Sequence, residues 1–163
     1  MAKNKEEKTN VMRVLEQKKI AYTPHSYPHE EGVAVDGVTV AQSMGFDPAI
    51  VFKTLVAHGA SKQYYVFDVP VAENLDLKKA AKAVGEKSIE MIHQKELLPL
   101  TGYVHGGCSP VGMKKLFPTV FHSSAENLAA MIVSAGKIGY QVELAPRDLA
   151  ALVRAKFADI IVE

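Results

Sequence analysis

Ile50-Val51-Phe52-Lys53-Thr54-Leu55-Val56-Ala57 is the stretch that decides the fold. Apolar residues occupy both alternating sets of positions, which is typical of a β-strand covered on both faces. A turn at His58-Gly59-Ala60-Ser61 and an apolar run over 63–69 follow, so the sequence predicts a β-hairpin. Lys53 lies in the middle of the first strand, where burial is costly without a partner. Either its ammonium reaches solvent past an edge strand or it enters a binding site, and the strand alone leaves both interpretations open.

The elements on either side of this hairpin are short and mixed. Apolar spacing predicts helices over about 5–19, 37–44, 74–84 and 146–154. Further strands are expected at 88–92, 119–122, 130–133, 140–144 and 157–162. Strands in hairpins with helices between them favour an α+β fold over a regular parallel βαβ fold. The length of 163 residues predicts one domain spanning 1–163.

Composition excludes several classes of function. The net charge of +1 gives no general attraction to nucleic acid, so such a partner needs a local patch. The lysine-rich 78–87 segment is either that patch or a solvated helix face. A single cysteine, a charged N-terminus and the lack of a long apolar run predict a cytoplasmic protein outside the membrane. His25 and His29 are four apart, but prolines exclude a helix there, so neither a metal site nor a cofactor is predicted.

A glycine-rich loop, Gly106-Gly107-Cys108-Ser109-Pro110, is the second distinctive stretch. It is either a plain tight turn or a rigid loop whose amides hold a carbonyl or an oxyanion. His105 and Cys108 are close enough in sequence for a nucleophilic pair. Cysteine is, however, a common buried packing residue, which is the stronger interpretation. Lys53 and this loop together indicate an anion- or ester-binding site without a protein nucleophile.

Several motifs occur in a recognisable order. They are Phe52-Lys53-Thr54-Leu55, Asn74-Leu75-Asp76-Leu77-Lys78-Lys79-Ala80-Ala81, Thr101-Gly102-Tyr103, the loop Gly106 to Gly112, and Ser134-Ala135-Gly136-Lys137. In this combination the chain resembles the YbaK/EbsC family, the free-standing relatives of the bacterial prolyl-tRNA synthetase editing domain. Within that family it is most similar to the Cys-tRNA(Pro) deacylases.

The resemblance implies both a fold and an activity. The fold would be a compact α+β domain with a mixed, strongly curved, barrel-like sheet surrounded by helices. The activity would be hydrolysis of mischarged Cys-tRNA(Pro), with Cys-tRNA(Cys) as a further substrate, alongside prolyl-tRNA synthetase. The substrate thiol would attack its own ester, which makes the reaction lyase-like if a thiolactone forms. The competing hypotheses are a deacylase for another small residue, as on Ala-tRNA(Pro), and a non-catalytic module that binds tRNA or nucleotide.

The resemblance also assigns residues to the site. Lys53, Gly106 and Pro110 fall on the family's catalytic positions. Lys53 would orient the terminal adenosine rather than act as a base. Ala135 departs from the family's Ser-Gly-Gly-Lys turn, and residues 30–36 match poorly. The implied substrate-binding residues are Tyr27, Gly107, Cys108, Ser109, Ser134 and Gly136.

Overall fold

Two open β-sheets form the centre of the fold in the computed structural model, which describes residues 8–30 and 32–163. The strands are β1 (Thr23–Ser26), β2 (Phe52–Gly59), β3 (Tyr64–Pro70), β4 (Ile89–Met91), β5 (Thr119–His122), β6 (Met131–Ser134), β7 (Tyr140–Leu144) and β8 (Lys156–Ala158). The α-helices are α1 (Asn10–Gln17), α2 (Gly37–Met44), α3 (Leu77–Val84), α4 (Gln94–Thr101) and α5 (Pro146–Val153).

The larger sheet has the strand order β4-β2-β3-β5-β8. Strands β2 and β3 form the predicted antiparallel hairpin, while β5 pairs with β3 and β8 in parallel, so the sheet is mixed. The smaller, antiparallel sheet has the order β1-β7-β6. A single bridge between Val51 and Ile132 joins the two sheets at the start of β2.

The predicted α+β class is confirmed, but the prediction of a strongly curved, barrel-like sheet is wrong. The described strands divide between two open sheets, and neither of them closes on itself. The physical reason is that the sheets meet through one bridge instead of a continuous ladder of hydrogen bonds. Part of the predicted first helix lies outside the described residues, and α1 begins after Thr9, whose hydroxyl accepts from the Met12 amide.

Strand β2 is covered on both sides, as its apolar pattern predicts. Phe52 and Val56 belong to the main core, which α1 and α5 also enter. Ala57 belongs to a second cluster, packed under α3. A third cluster, which includes Val51 and Ile132, lies under α2 at the junction of the two sheets. In the part of the chain that the structure describes, no helix has the length and hydropathy needed to span a bilayer.

Candidate active site

A cleft of about 540 Å³ opens where the two sheets meet. It is within the size range of ligand pockets in proteins. Its walls come from α2 and the segment before it, the first half of β2, the glycine loop, and the facing ends of β6 and β7. The cleft brings together residues that lie far apart in the sequence, namely Tyr27, Lys53, Gly106, Cys108 and Ser134. Lys53 and the glycine loop therefore face one cavity.

The remaining predicted residues support the walls of this cleft and are not among its lining residues. Gly107 packs on the turn after β6, because a Cβ there would lie 3.0 Å from the Ile138 amide nitrogen. Ser109 is fully buried, and its hydroxyl accepts a hydrogen bond from the Val111 amide at 3.2 Å. Pro110 is buried beside it. Gly136 lies against the Tyr103 ring and lines a neighbouring groove.

Lys53 is half-buried on β2, where burial lowers the pKa of its ammonium. Asp36 and Glu73 act in the opposite direction and raise that pKa. Neither of them, nor any other described carboxylate, comes within 4.0 Å of the Lys53 ammonium. The ammonium is therefore partly desolvated and not neutralised by an ion pair, which strengthens its attraction to a bound anion or carbonyl oxygen.

The glycine loop places backbone amides at the cleft. Gly106 has φ of +92°, and a Cβ at this position would lie 2.7 Å from the Ala34 Cβ, so glycine is required for both conformation and space. The Gly107 amide donates to the Val104 carbonyl. Within the described residues, no hydrogen bond engages the amides of Gly106 and Cys108. The loop thus has donors that a carbonyl oxygen could use.

Cys108 does not have the surroundings of a nucleophile. Its side chain is buried, and burial, with the charge of Asp68, raises the pKa of the thiol to about 12. A thiol in that state is a poor nucleophile at neutral pH. His105 also lines the cleft, but no hydrogen bond joins its ring to the Cys108 thiol in the described part of the protein. The Cys108 side chain therefore lines the pocket, and the possible Cys–His pair is not formed.

The carboxyl group of Asp68 is fully buried behind the cleft, and it is not among the site residues that the sequence predicted. The Thr54 hydroxyl, which faces the cleft, donates to Asp68 Oδ2 at 2.8 Å. Oδ1 is buried without a partner, and burial raises the pKa of Asp68 to about 8. The acid is therefore mostly neutral at pH 7. An aspartate inside the apolar run Tyr64–Pro70 was the available signal.

Two further lining residues were also missed. Asp36 caps α2 by accepting from the Thr39 amide, and its position in the cleft places a negative charge near Lys53. Gln141 on β7 is buried, and its Oε1 has no partner. An unpaired buried acceptor is costly, so this amide is suited to a ligand N–H or O–H. Neither residue is distinctive in the sequence, because both are ordinary polar residues in short elements.

Among the residues placed by the structure, no group of three His, Cys, Asp or Glu side chains could hold a metal ion. The two histidines that prompted the question have other contacts. His25 Nε2 lies 2.8 Å from Glu143 Oε1, and His29 Nδ1 lies 2.9 Å from the Tyr27 carbonyl oxygen. Their separation into different environments fits the absence of a helix between them.

Known proteins resemble this chain in sequence and in structure. The model of the aminoacyl-tRNA editing domain family matches residues 32–152. The "Putative Cys-tRNA(Pro)/Cys-tRNA(Cys) deacylase EbsC" of Enterococcus faecalis (strain ATCC 700802 / V583) is 46% identical over 161 residues, which cover 98% of each chain. A crystal structure described as a "putative trans-editing enzyme for prolyl tRNA synthetase" has a TM-score of 0.79 at 25% identity and covers 94% of this chain and 95% of its own. A hypothetical protein at 19% identity shares the fold, with a TM-score of 0.82 over 93% of this chain and 99% of its own.

Proposed function

The chain belongs to the aminoacyl-tRNA editing domain family, and from this we propose that it is a deacylase that hydrolyses mischarged Cys-tRNA(Pro), with Cys-tRNA(Cys) as a further substrate. The observation that carries the proposal is the shared cleft of Lys53 and the glycine loop. The resemblance to the Enterococcus faecalis relative over almost the whole chain supports the choice of cysteine. The proposal treats residues 1–163 as one editing domain.

The proposed roles follow from the chemistry of each group. The Lys53 ammonium binds and orients the terminal adenosine through its phosphate or ribose oxygens. The glycine-loop amides, with Pro110 fixing the backbone, hold the carbonyl oxygen as it gains negative charge. Tyr27 and Ser134 contact the aminoacyl-adenosine from the opposite wall. Gly107, Ser109 and Gly136 support these contacts from behind, and Cys108 packs against the small amino acid.

The proposed reaction uses the nucleophile of the substrate. The cysteine sulfur attacks its own ester carbonyl, a C–S bond forms, and the bond from the carbonyl carbon to the ribose oxygen breaks. The thiol proton passes to the departing ribose oxygen, and water then opens the resulting thiolactone to free cysteine. The sum is ester hydrolysis, and the lyase-like description applies only to the first step. The neutral, buried Cys108 thiol supports this route, because the chain offers no activated thiolate at the cleft.

The proposal includes the partners that this reaction needs. The acceptor end of a mischarged tRNA is the substrate, and prolyl-tRNA synthetase is the source of the error and a candidate binding partner. The expected location is the cytoplasm, where aminoacyl-tRNA is made and used. No cofactor is required by the proposed chemistry, because positioning and electrostatic stabilisation supply the catalysis.

Deacylation of a panel of charged tRNAs tests the proposal. The purified protein should release cysteine from Cys-tRNA(Pro) much faster than alanine from Ala-tRNA(Pro) or proline from Pro-tRNA(Pro). Lys53→Ala should lower kcat/KM by about 100-fold or more, the usual cost of losing one such electrostatic contact. Lys18→Ala is the matched control, because Lys18 is exposed at the end of α1, outside the lysine-rich 78–87 segment and not among the residues that line the cleft.

Three outcomes would contradict all or part of the proposal. Wild-type turnover by a folded Lys53→Ala variant would remove the site assignment. Salt-sensitive tRNA binding without hydrolysis of any aminoacyl-tRNA would instead favour a non-catalytic binding module. Preferential cleavage of Ala-tRNA(Pro) would keep the deacylase but change its amino acid.

A further inference from the structure

A second groove, of about 370 Å³, lies beside the cleft. The contact between Gly107 and the backbone of Lys137 and Ile138 forms part of the ridge between them. Tyr140 lines both cavities, so they adjoin at its ring. A linear polymer whose terminal unit occupies the cleft would therefore place its second unit at this groove.

The groove has the side chains that single-stranded nucleic acid requires. The His29 and Tyr140 rings both line the groove and pack edge-to-face, at 64° with centroids 5.8 Å apart. The Lys137 ammonium lies 5.6 Å from the centroid of the Tyr140 ring, which keeps a positive charge beside the aromatic surface. Aromatic surfaces with an adjacent cation bind bases and backbone phosphates together.

Two glycines lie in the wall of the groove. Gly102 and Gly136 both have positive φ, of +88° and +91°. A Cβ at position 136 would lie 2.9 Å from the Tyr103 ring, so glycine is required there both for conformation and for packing within the fold.

We propose that this groove binds the nucleotide that precedes the terminal adenosine of the tRNA acceptor strand. Lys137 contacts the phosphate that joins the two nucleotides, and the His29 and Tyr140 rings contact the base. The identity of this ligand depends on the proposed deacylase function, which places an aminoacyl-adenosine in the main cleft. The groove then extends recognition from one nucleotide to two, and it selects RNA ends over free aminoacyl-adenosine.

Binding of short ligands tests the groove without hydrolysis. The probes are adenosine and the dinucleotide CpA, measured by calorimetry with the full chain. CpA should bind at least about tenfold more tightly than adenosine, given the usual contribution of one stacked base. Lys137→Ala should reduce this ratio by about tenfold, and Lys137→Arg should retain most of it. The ratio cancels general effects of a substitution on the fold, and Lys18→Ala is the exposed-lysine control, because Lys18 lines neither cavity.

The salt dependence of CpA binding provides a second readout. The affinity for CpA should fall as the salt concentration rises, and Lys137→Ala should remove most of this dependence, because the screened contact between the Lys137 ammonium and the phosphate is lost. Equal affinities for adenosine and CpA in the wild type, including no binding of either, would overturn the inference. The same CpA-to-adenosine ratio in the wild type and Lys137→Ala would overturn it as well. The deacylation panel fails separately, through an absence of ester cleavage, so the two proposals are distinguished.

Discussion

Replacing Asp68 by asparagine should remove a pH dependence of the free energy of unfolding. Asp68 is fully buried on β3, and burial raises its pKa from the ordinary value of 3.8 to about 8. The folded protein therefore retains a proton that the unfolded chain releases. The stability due to this group is fully present below pH 3.8 and is lost progressively as the pH rises to about 8.

The size of the effect follows from the shift. Between pH 5 and pH 7 the unfolded carboxyl is ionised and the folded one is protonated, so each pH unit costs ~1.4 kcal/mol. The wild type should lose about 3 kcal/mol from this group over that interval. Asp68→Asn cannot ionise, while its amide oxygen can still accept from the Thr54 hydroxyl. The variant should therefore gain about 3 kcal/mol relative to the wild type between pH 5 and pH 7, whatever its absolute stability.

Urea denaturation at pH 5, 6 and 7, followed by circular dichroism, measures the difference. Asp47→Asn is the matched control, because it removes the same charge from an exposed helix cap that asparagine can still form. Titration of other groups contributes equally to all three proteins and cancels. A relative gain below about 1 kcal/mol over the interval would show that Asp68 ionises as an ordinary carboxyl, and the reasoning would fail.

Three further predictions concern the glycine loop and the nucleophile. Cys108→Ala should keep turnover of Cys-tRNA(Pro) within about tenfold of wild type, since a neutral thiol with a pKa of about 12 is not the nucleophile; a folded but inactive variant would restore that role. Ser-tRNA(Pro), which lacks a thiol, should react far more slowly than Cys-tRNA(Pro) in a matched deacylation assay. Gly106→Ala should lower the free energy of unfolding by about 1–3 kcal/mol and should also lower kcat/KM. The reason is that alanine is strained at this positive φ and that its Cβ meets Ala34. Gly45→Ala has the same sign of φ with open space around it, so thermal denaturation should show a smaller cost and activity should be unchanged.

The sequence predicted the elements better than their assembly. The β2–β3 hairpin follows from local patterns, because both strands are apolar and a short turn joins them. The junction of the two sheets depends on the Val51–Ile132 bridge, a long-range contact that no local pattern encodes. Proline usually ends a helix, yet α4 contains Pro99, continues to Thr101 and ends at Gly102, in the left-handed conformation. Proline has no N–H, so one backbone hydrogen bond is lost. Such a loss near the end of a short helix is tolerated when a glycine cap follows.

The candidate site was found only in part, for a related reason. Lys53 was identified because a charge within an apolar strand is conspicuous, but the strand could not show which way it faces. Helix α2 and the glycine loop cover this part of β2, and they decide that Lys53 faces the cleft. Both contacts are long-range. Asp68 was an equally conspicuous charge in β3. It was overlooked because no motif of the resembling family includes it, although the same physical argument applies to both residues.

Three costs to stability lie together at one place in the fold. The partly desolvated Lys53, the neutral Asp68 behind Thr54 and the unpaired Gln141 oxygen all occur at or behind the cleft where the sheets meet. Buried polar groups without partners persist in native proteins chiefly where a function requires them. A ligand that pairs with Lys53 and Gln141 would recover part of this cost on binding. Binding of the substrate therefore stabilises the junction of the two sheets, because a charged tRNA end supplies the partners that these polar groups lack in the free protein.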